Sequence, residues 1–344
     1  QVLSFIYQVF VHAANLEVSL LGMNVPLFCI CCLLSARALF LPLVGPGRGG
    51  VARKSHGLPN QRRTCNEMKQ RRFSFQDAAC GADALNFTVE DTLQAYRVEQ
   101  AYWNGVGKDD PWWAVLKQYH HDTIPKAVKL AFYQTGLEWL NNMIQLAKHH
   151  GLSNFLQHFR NGTALDLGCG LGRMGNALAY IGFTKVICVD HSPYFLRRAS
   201  RELEKIAEQG VITPGIANKM QFIQSGPDLL CSVLPGTVDF SHSVITLQHM
   251  KPMLQVAYVE QLCDVLRPGG FGYFQIPVHL NASHQQHCNV SSETFGMAMH
   301  YTPTAEITRH LRERGCKVLM AADSDLFHGI GAAGKSKSIA FQKQ

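Results

Sequence analysis

From Gly162 onward, short apolar blocks alternate with stretches in which apolar residues recur at helical spacing. Each block is short and bounded by polar or turn-forming residues, as expected for strands buried on both faces. Strands are predicted at Ala164–Leu167, Lys185–Asp190, Met220–Gln224, Thr237–Ser243, Phe271–Ile276, Lys317–Ala321 and Ser338–Gln342. Helices are predicted between them at Gly175–Ile181, Tyr194–Gln209, Met253–Leu266 and Thr304–Arg314. Strands that alternate with helices form a doubly wound, largely parallel sheet, so the expected class is α/β with seven strands.

The preceding region has a different period. Thr92–Trp103 and Ala127–His149 read as helices, the second stopped by Gly151, with a polar break expected from Asn104 to Pro111. Tyr102, Trp103, Trp112, Trp113, Phe132, Tyr133 and Trp139 concentrate here, which suits a helical cap with an apolar, aromatic interior. Residues 1–75 read as a leader: a short apolar run around Val25–Leu34, a small-x-small site at Ala36–Ala38, then an Arg- and Gly-rich stretch. That order is similar to the bipartite leaders of plastid-directed proteins. A secretory signal, a membrane anchor reaching Val44, translated upstream sequence and a cytoplasmic protein are the other readings. The expected organisation is therefore a leader at 1–75, a helical N-terminal cap at 76–160 and a cofactor-binding domain at 161–344.

Charge sharpens this division. The formal net charge is +7, and residues 45–75 account for all of it, with eight Lys and Arg against Glu67 alone. A folded part with no net charge argues against a large nucleic-acid footprint. No stable membrane span is expected in the mature domain. The 11 cysteines are scattered without paired C-x-x-C spacing, and no metal site is expected.

The chemistry centres on Asp166-Leu167-Gly168-Cys169-Gly170-Leu171-Gly172-Arg173, where the first core strand runs into a glycine-rich turn and a helix. Glycines there let a ligand approach the backbone, and free amides at a helix start favour electron-rich groups. Two frames overlap. Gly170-x-Gly172-x-x-Gly175 with Asp190 downstream satisfies a dinucleotide fingerprint, the pattern of an NAD-dependent oxidoreductase. Asp166-x-Gly168-x-Gly170-x-Gly172 resembles the first motif of class I methyltransferases that use S-adenosylmethionine (SAM). An acidic residue ahead of the loop suits a ligand with a cationic amino-acid end and would repel a pyrophosphate.

Thr163–Gln342 resembles the class I methyltransferase domain along its whole length, and the resemblance implies a Rossmann-like sheet, SAM as cofactor and a site assembled from ordered motifs. Asp190, ending the second strand before His191, would accept hydrogen bonds from the ribose hydroxyls. The family's third strand often ends in Gly-Asp; here it reads Gln224-Ser225-Gly226-Pro227-Asp228, which makes Asp228 the candidate adenine contact. Ser243 falls where the fourth strand meets the cofactor, and His249 in Gln248-His249-Met250 is the candidate general base. Arg267-Pro268-Gly269-Gly270 matches the family's turn before strand five, and Gln275 lies just beyond it. The cofactor-binding set is thus Asp166, Gly168, Cys169, Gly170, Gly172, Asp190, His191, Asp228 and Ser243. The expected reaction is in-line methyl transfer to a small-molecule acceptor, with the insert Val278–Tyr301 at its mouth. The displaced Asp228 leaves a third reading open, a non-catalytic SAM-binding module.

Overall fold

The computed structural model describes residues 73–76, 84–116, 124–153, 161–209, 212, 215–280, 298–324 and 334–344. The leader readings fall almost wholly outside these residues, as does most of the predicted acceptor-mouth insert. The boundary drawn after residue 75 falls inside a short strand. That strand, β1 (Phe73–Gln76), pairs antiparallel with β2 (Ala84–Phe87), a hairpin the sequence pattern did not announce.

Helix α1 (Val89–Asp109) starts on a capping box in which the Thr88 hydroxyl accepts from the Asp91 amide and the Asp91 carboxylate accepts from the Thr88 amide. It runs straight through the expected polar break. Glycine costs a helix only about 1 kcal/mol, so Gly105 and Gly107 do not end it. At Gly107 a side chain would not fit, because an added Cβ would stand 2.9 Å from the Ser192 hydroxyl. The chain stops just before Pro111 and turns, and Trp112 is fully buried there. Helix α2 (Lys126–His149) ends as predicted, with Gly151 in a left-handed conformation.

The core sheet has seven strands: β3 (Thr163–Leu167), β4 (Lys185–Asp190), β5 (Met220–Gln224), β6 (Val238–Ser243), β7 (Leu266–Leu280), β8 (Cys316–Asp323) and β9 (Gly334–Lys343). Their order across the sheet is β5-β4-β3-β6-β7-β9-β8. β5, β4, β3, β6 and β7 pair in parallel, and β9 is antiparallel to both its neighbours. The chain winds outward from β3 to β5, then returns to place β6 on the other side of β3. The carboxyl ends of β3 and β6 therefore flank a topological switch point, where open α/β sheets bind ligands.

Side-chain alternation divides the interior into two cores. Leu165, Leu167, Ile187 and Val189 face one side with α1 (Ala95, Tyr96), α5 (Pro252–Asp264) and α6 (Thr304–Glu313). Ala164, Val186, Cys188, Phe240 and Tyr273 face the other with α2, α3 (Arg173–Ile181) and α4 (Pro193–Glu208). The expected turn at Arg267–Gly270 is absorbed into β7 as an irregularity: pairing jumps from Val238 opposite Leu266 to Phe240 opposite Phe271. Cys263 on α5 and Cys316 on β8 form a disulfide, which the scattered cysteine spacing did not indicate.

Helices α1 and α2 are fastened to the helices that flank the sheet by specific polar contacts. Lys129 of α2 pairs with the buried Glu202 of α4 at 2.7 Å, and Arg198 joins the same carboxylate at 3.2 Å. Glu99 of α1 accepts from the Lys251 amide at 2.7 Å, at the start of α5. Helix α1 crosses the carboxyl edge of the sheet, where Tyr96 donates to the Ser225 carbonyl and Gln100 to that of His191. Among the described residues, no helix is long and apolar enough to cross a membrane.

Candidate functional site

Beyond Leu167 the backbone makes three left-handed steps, at Gly168 (φ 71°), Gly170 (φ 51°) and Gly172 (φ 80°). L-residues with a side chain avoid that region, which explains the alternating glycines. The Gly168 and Cys169 amides both donate to the Val189 carbonyl, at 2.7 and 3.0 Å. The Gly170 amide donates to Asp190 Oδ2 at 3.0 Å, and the Ser192 amide to Asp190 Oδ1 at 2.9 Å. Tyr133 of α2 reaches across to donate to the Leu171 carbonyl at 3.0 Å. The loop is thus held from β4 on one side and from α2 on the other.

One cavity opens along this loop, and it brings together seven of the expected site residues: Asp166, Gly168, Cys169, Gly170, Asp190, His191 and His249. Its remaining walls come from Trp103 of α1, Val115, Phe132 of α2, Phe195 of α4, and the segment Val244–Thr246 after β6. Asp190 is buried, and burial pushes its carboxyl above the ordinary range against the pull of His191 and the two amides. Burial likewise lowers the His191 imidazole and raises the Cys169 thiol.

Three expected residues stand outside the cavity walls. Gly172 caps α3, and an added Cβ there would meet Leu203 and Met220. Ser243 is fully buried and donates to the Leu167 carbonyl at 3.1 Å, tying β6 to β3. Asp228 is exposed on the turn that bridges Gly226 to Leu229, because Pro227 carries the chain away from the crevice. Ser225 lines the cavity instead; its carbonyl accepts from Tyr96 at 2.6 Å and its hydroxyl from Tyr258 at 3.2 Å.

Arg173 is a wall residue that the motif reading passed over, although it sits at the end of the quoted stretch. Its guanidinium lies 4.5 Å from the Trp139 ring centroid and 5.2 Å from that of Phe132, and it donates to the Thr135 hydroxyl at 3.3 Å. Burial lowers it to about 10, and Asp166 opposes that fall. Ile245 is another missed wall residue. Its φ of 56° is unusual for a β-branched side chain, and its amide donates to Gln275 Oε1 at 3.2 Å.

His249 sits against Trp103, with ring centroids 5.6 Å apart. Its Nδ1 lies 3.2 Å from the Ala298 carbonyl, which can only accept, so Nδ1 carries the proton. Nε2 then holds the lone pair and accepts from Gln248 Nε2 at 3.1 Å. Far from this cavity, Glu260, His310 and Glu313 cluster closely enough to suggest a cation site. Arg314 and Arg309 already pair with those carboxylates, which makes the cluster an ion-pair network.

Residues 164–270 match the family model described as methyltransferase domain. Magnesium protoporphyrin IX methyltransferase from Synechocystis PCC 6803, solved with bound SAH, has a similar fold. It is 15% identical, with a TM-score of 0.50, over 73% of this chain and 100% of that one. Geranyl diphosphate C-methyltransferase from Streptomyces coelicolor is 12% identical, with a TM-score of 0.41, over 55% of this chain and 75% of that one. No curated protein matches. The family match, the strand order and the glycine loop agree on a methyltransferase domain over residues 164–270.

Proposed function

We propose that this protein transfers the methyl group of SAM to a small-molecule acceptor whose reactive end enters between the cap helices and the glycine loop. The observation that carries the reading is the pair of buried carboxylates in one cavity wall. Asp190 ends β4 beside the loop, and Asp166, the last residue but one of β3, has its Oδ2 buried and unpartnered. A buried acceptor without a donor costs about 1–3 kcal/mol, and a ligand ammonium at Asp166 removes that penalty. Ribose hydroxyls suit Asp190, whose oxygens retain acceptor capacity beyond the two amides they already hold. Two carboxylates are poor company for the pyrophosphate of a dinucleotide, which weighs against the oxidoreductase reading.

SAM supplies an electrophilic methyl on a positively charged sulfur. The chain's own residues then orient and enclose. Trp103, Phe132, Val115 and Ile245 give the acceptor side an apolar wall that excludes water, and alignment there supplies the rate advantage of a pre-oriented pair. The acceptor's proton would pass to His249 Nε2, the basic nitrogen fixed by the Ala298 contact, in exchange for the hydrogen bond that Nε2 accepts from Gln248. In this reading residues 76–160 act as the acceptor-side cap and 161–344 as the cofactor domain.

Calorimetric titration of the full chain with SAM and with NAD tests the cofactor. SAM binding that disappears in Asp190→Ala is expected, and NAD binding without SAM binding would overturn the proposal. Incubation with methyl-labelled SAM and a metabolite extract then identifies the acceptor class; transfer of label to small molecules, reduced in His249→Ala, is the expected result. SAM binding with no label transfer to any acceptor would instead mark a non-catalytic module.

A further inference from the structure

Asp166 has a partner that no motif assigns. In the register of β3 against β6, Asp166 stands directly opposite His242, on the same face of the sheet. The two side chains meet at 3.1 Å, His242 Nδ1 to Asp166 Oδ1, and both residues are almost wholly buried, at 0% and 2% exposure. A carboxylate only accepts, so Nδ1 carries the proton and the imidazole is fixed in one tautomer. The ring lies parallel to that of Tyr273 on the neighbouring β7, with centroids 6.2 Å apart and a 7° interplanar angle. Tyr273 is anchored in turn by its hydroxyl's donation to Ser338 on β9 at 2.7 Å.

A row of side chains across four strands thus ends on one oxygen of Asp166. The other oxygen, Oδ2, is the buried acceptor without a partner, and Asp166 itself lines the cavity. Above it α3 presents Gly175, where an added Cβ would stand 3.7 Å from Oδ2. The two oxygens are therefore divided between tasks, one tethered and one left open.

We propose that His242 is a positioning residue for cofactor binding: it holds Asp166 so that Oδ2 faces the ammonium of the cofactor's amino-acid end. The proposal rests on the SAM reading given above. His242 touches no ligand; it acts through Asp166 alone. Its effect must therefore appear with ligands that carry the ammonium and vanish with those that do not.

Calorimetric binding to the full chain separates these cases, with S-adenosylhomocysteine as the probe carrying the amino-acid end and 5′-methylthioadenosine as the probe lacking it. The side-chain amide of asparagine can place an N–H where Nδ1 stands, whereas the longer glutamine cannot. His242→Gln is expected to weaken S-adenosylhomocysteine about tenfold, equivalent to about 1.4 kcal/mol, and to leave 5′-methylthioadenosine within about twofold. His242→Asn is expected to recover most of the loss. In an Asp166→Asn background the His242→Gln effect should disappear, as coupled neighbours require. Equal weakening of both probes, or an Asn variant no better than Gln, would overturn the positioning role and leave His242 a packing residue. Failure of the unaltered protein to bind either probe would instead overturn the SAM reading itself.

Discussion

Gly168 and Gly170 offer a controlled comparison, since both hold left-handed backbone in the same loop. Alanine at either position meets the same backbone penalty, about 1–2 kcal/mol. The surroundings then diverge. A Cβ on Gly168 would stand 2.0 Å from Thr246 Cγ2, 2.2 Å from its Oγ1 and 2.6 Å from its Cβ. No rotation of Thr246 relieves this, because its own Cβ is one of the clashing atoms. Overpacking of this kind adds about 1–3 kcal/mol. Displacing Thr246 also forfeits its 3.3 Å hydrogen bond to the Gly168 carbonyl, worth about 1 kcal/mol. A Cβ on Gly170 meets nothing within 4 Å and stands where the cavity is open. Gly168→Ala should therefore melt at least about 4 °C below Gly170→Ala, at roughly 2–4 °C per kcal/mol for a domain of this size. Gly170→Ala should keep most of its stability and lose SAM affinity, because its methyl occupies ligand space. Differential scanning fluorimetry and calorimetric titration read the two quantities separately. Adding Thr246→Gly to Gly168→Ala removes all three clashing atoms and should recover the overpacking share. Equal melting points for the two alanine variants, or no recovery in the double variant, would refute the reasoning.

Two further outcomes are expected. The Cys263–Cys316 disulfide spans 53 residues of sequence, and a closed loop of that length restricts the unfolded chain by about 4 kcal/mol. Cys316→Ser should thus lower denaturant stability by a sizeable part of that amount, and unchanged stability would remove the cross-link from the account. Glu99 of α1 is buried against the start of α5, and burial raises its carboxyl to about 8 against the lowering effect of Lys251. An acid raised on folding is held protonated in the native state, so stability falls as pH rises from the unfolded value near 4.5 through about 8. Glu99→Gln mimics the protonated acid and should flatten that decline. Its advantage over the unaltered protein should grow from pH 5 to pH 9, and parallel stability profiles across that range would count against it.

Much of the domain is legible from local pattern. Five of the seven core strands were placed to within two residues, because a buried strand must be a short apolar run whatever its neighbours are. The other two, β7 and β9, run four or five residues beyond the predicted ends. The glycine loop was equally plain, since left-handed backbone excludes other residues. Where local pattern misled, a weak local preference met a stronger tertiary one. The glycines at 105 and 107 suggested a break, yet α1 continues because its face packs on the sheet and on α4. Asp228 already departed from the family's Gly-Asp ending by the intervening Pro227, and it is Ser225 that lines the cavity. Trp103 and Phe132 stood out as part of an aromatic group, yet nothing local placed them with Arg173 on one wall. Helical periodicity says which face is buried, and says nothing about which end of a sheet that face will cover.

The sequence by itself determined the sheet, the loop conformation and the pair of carboxylates at the ends of the first two core strands. Those follow from burial, backbone sterics and charge within a few consecutive residues. The tertiary structure alone decided what each carboxylate meets. Asp166 and His242 lie 76 residues apart, and they touch because β3 and β6 pair in one register on one face. Strand register is set by the summed fit of whole strands against two cores, a quantity that no local stretch contains.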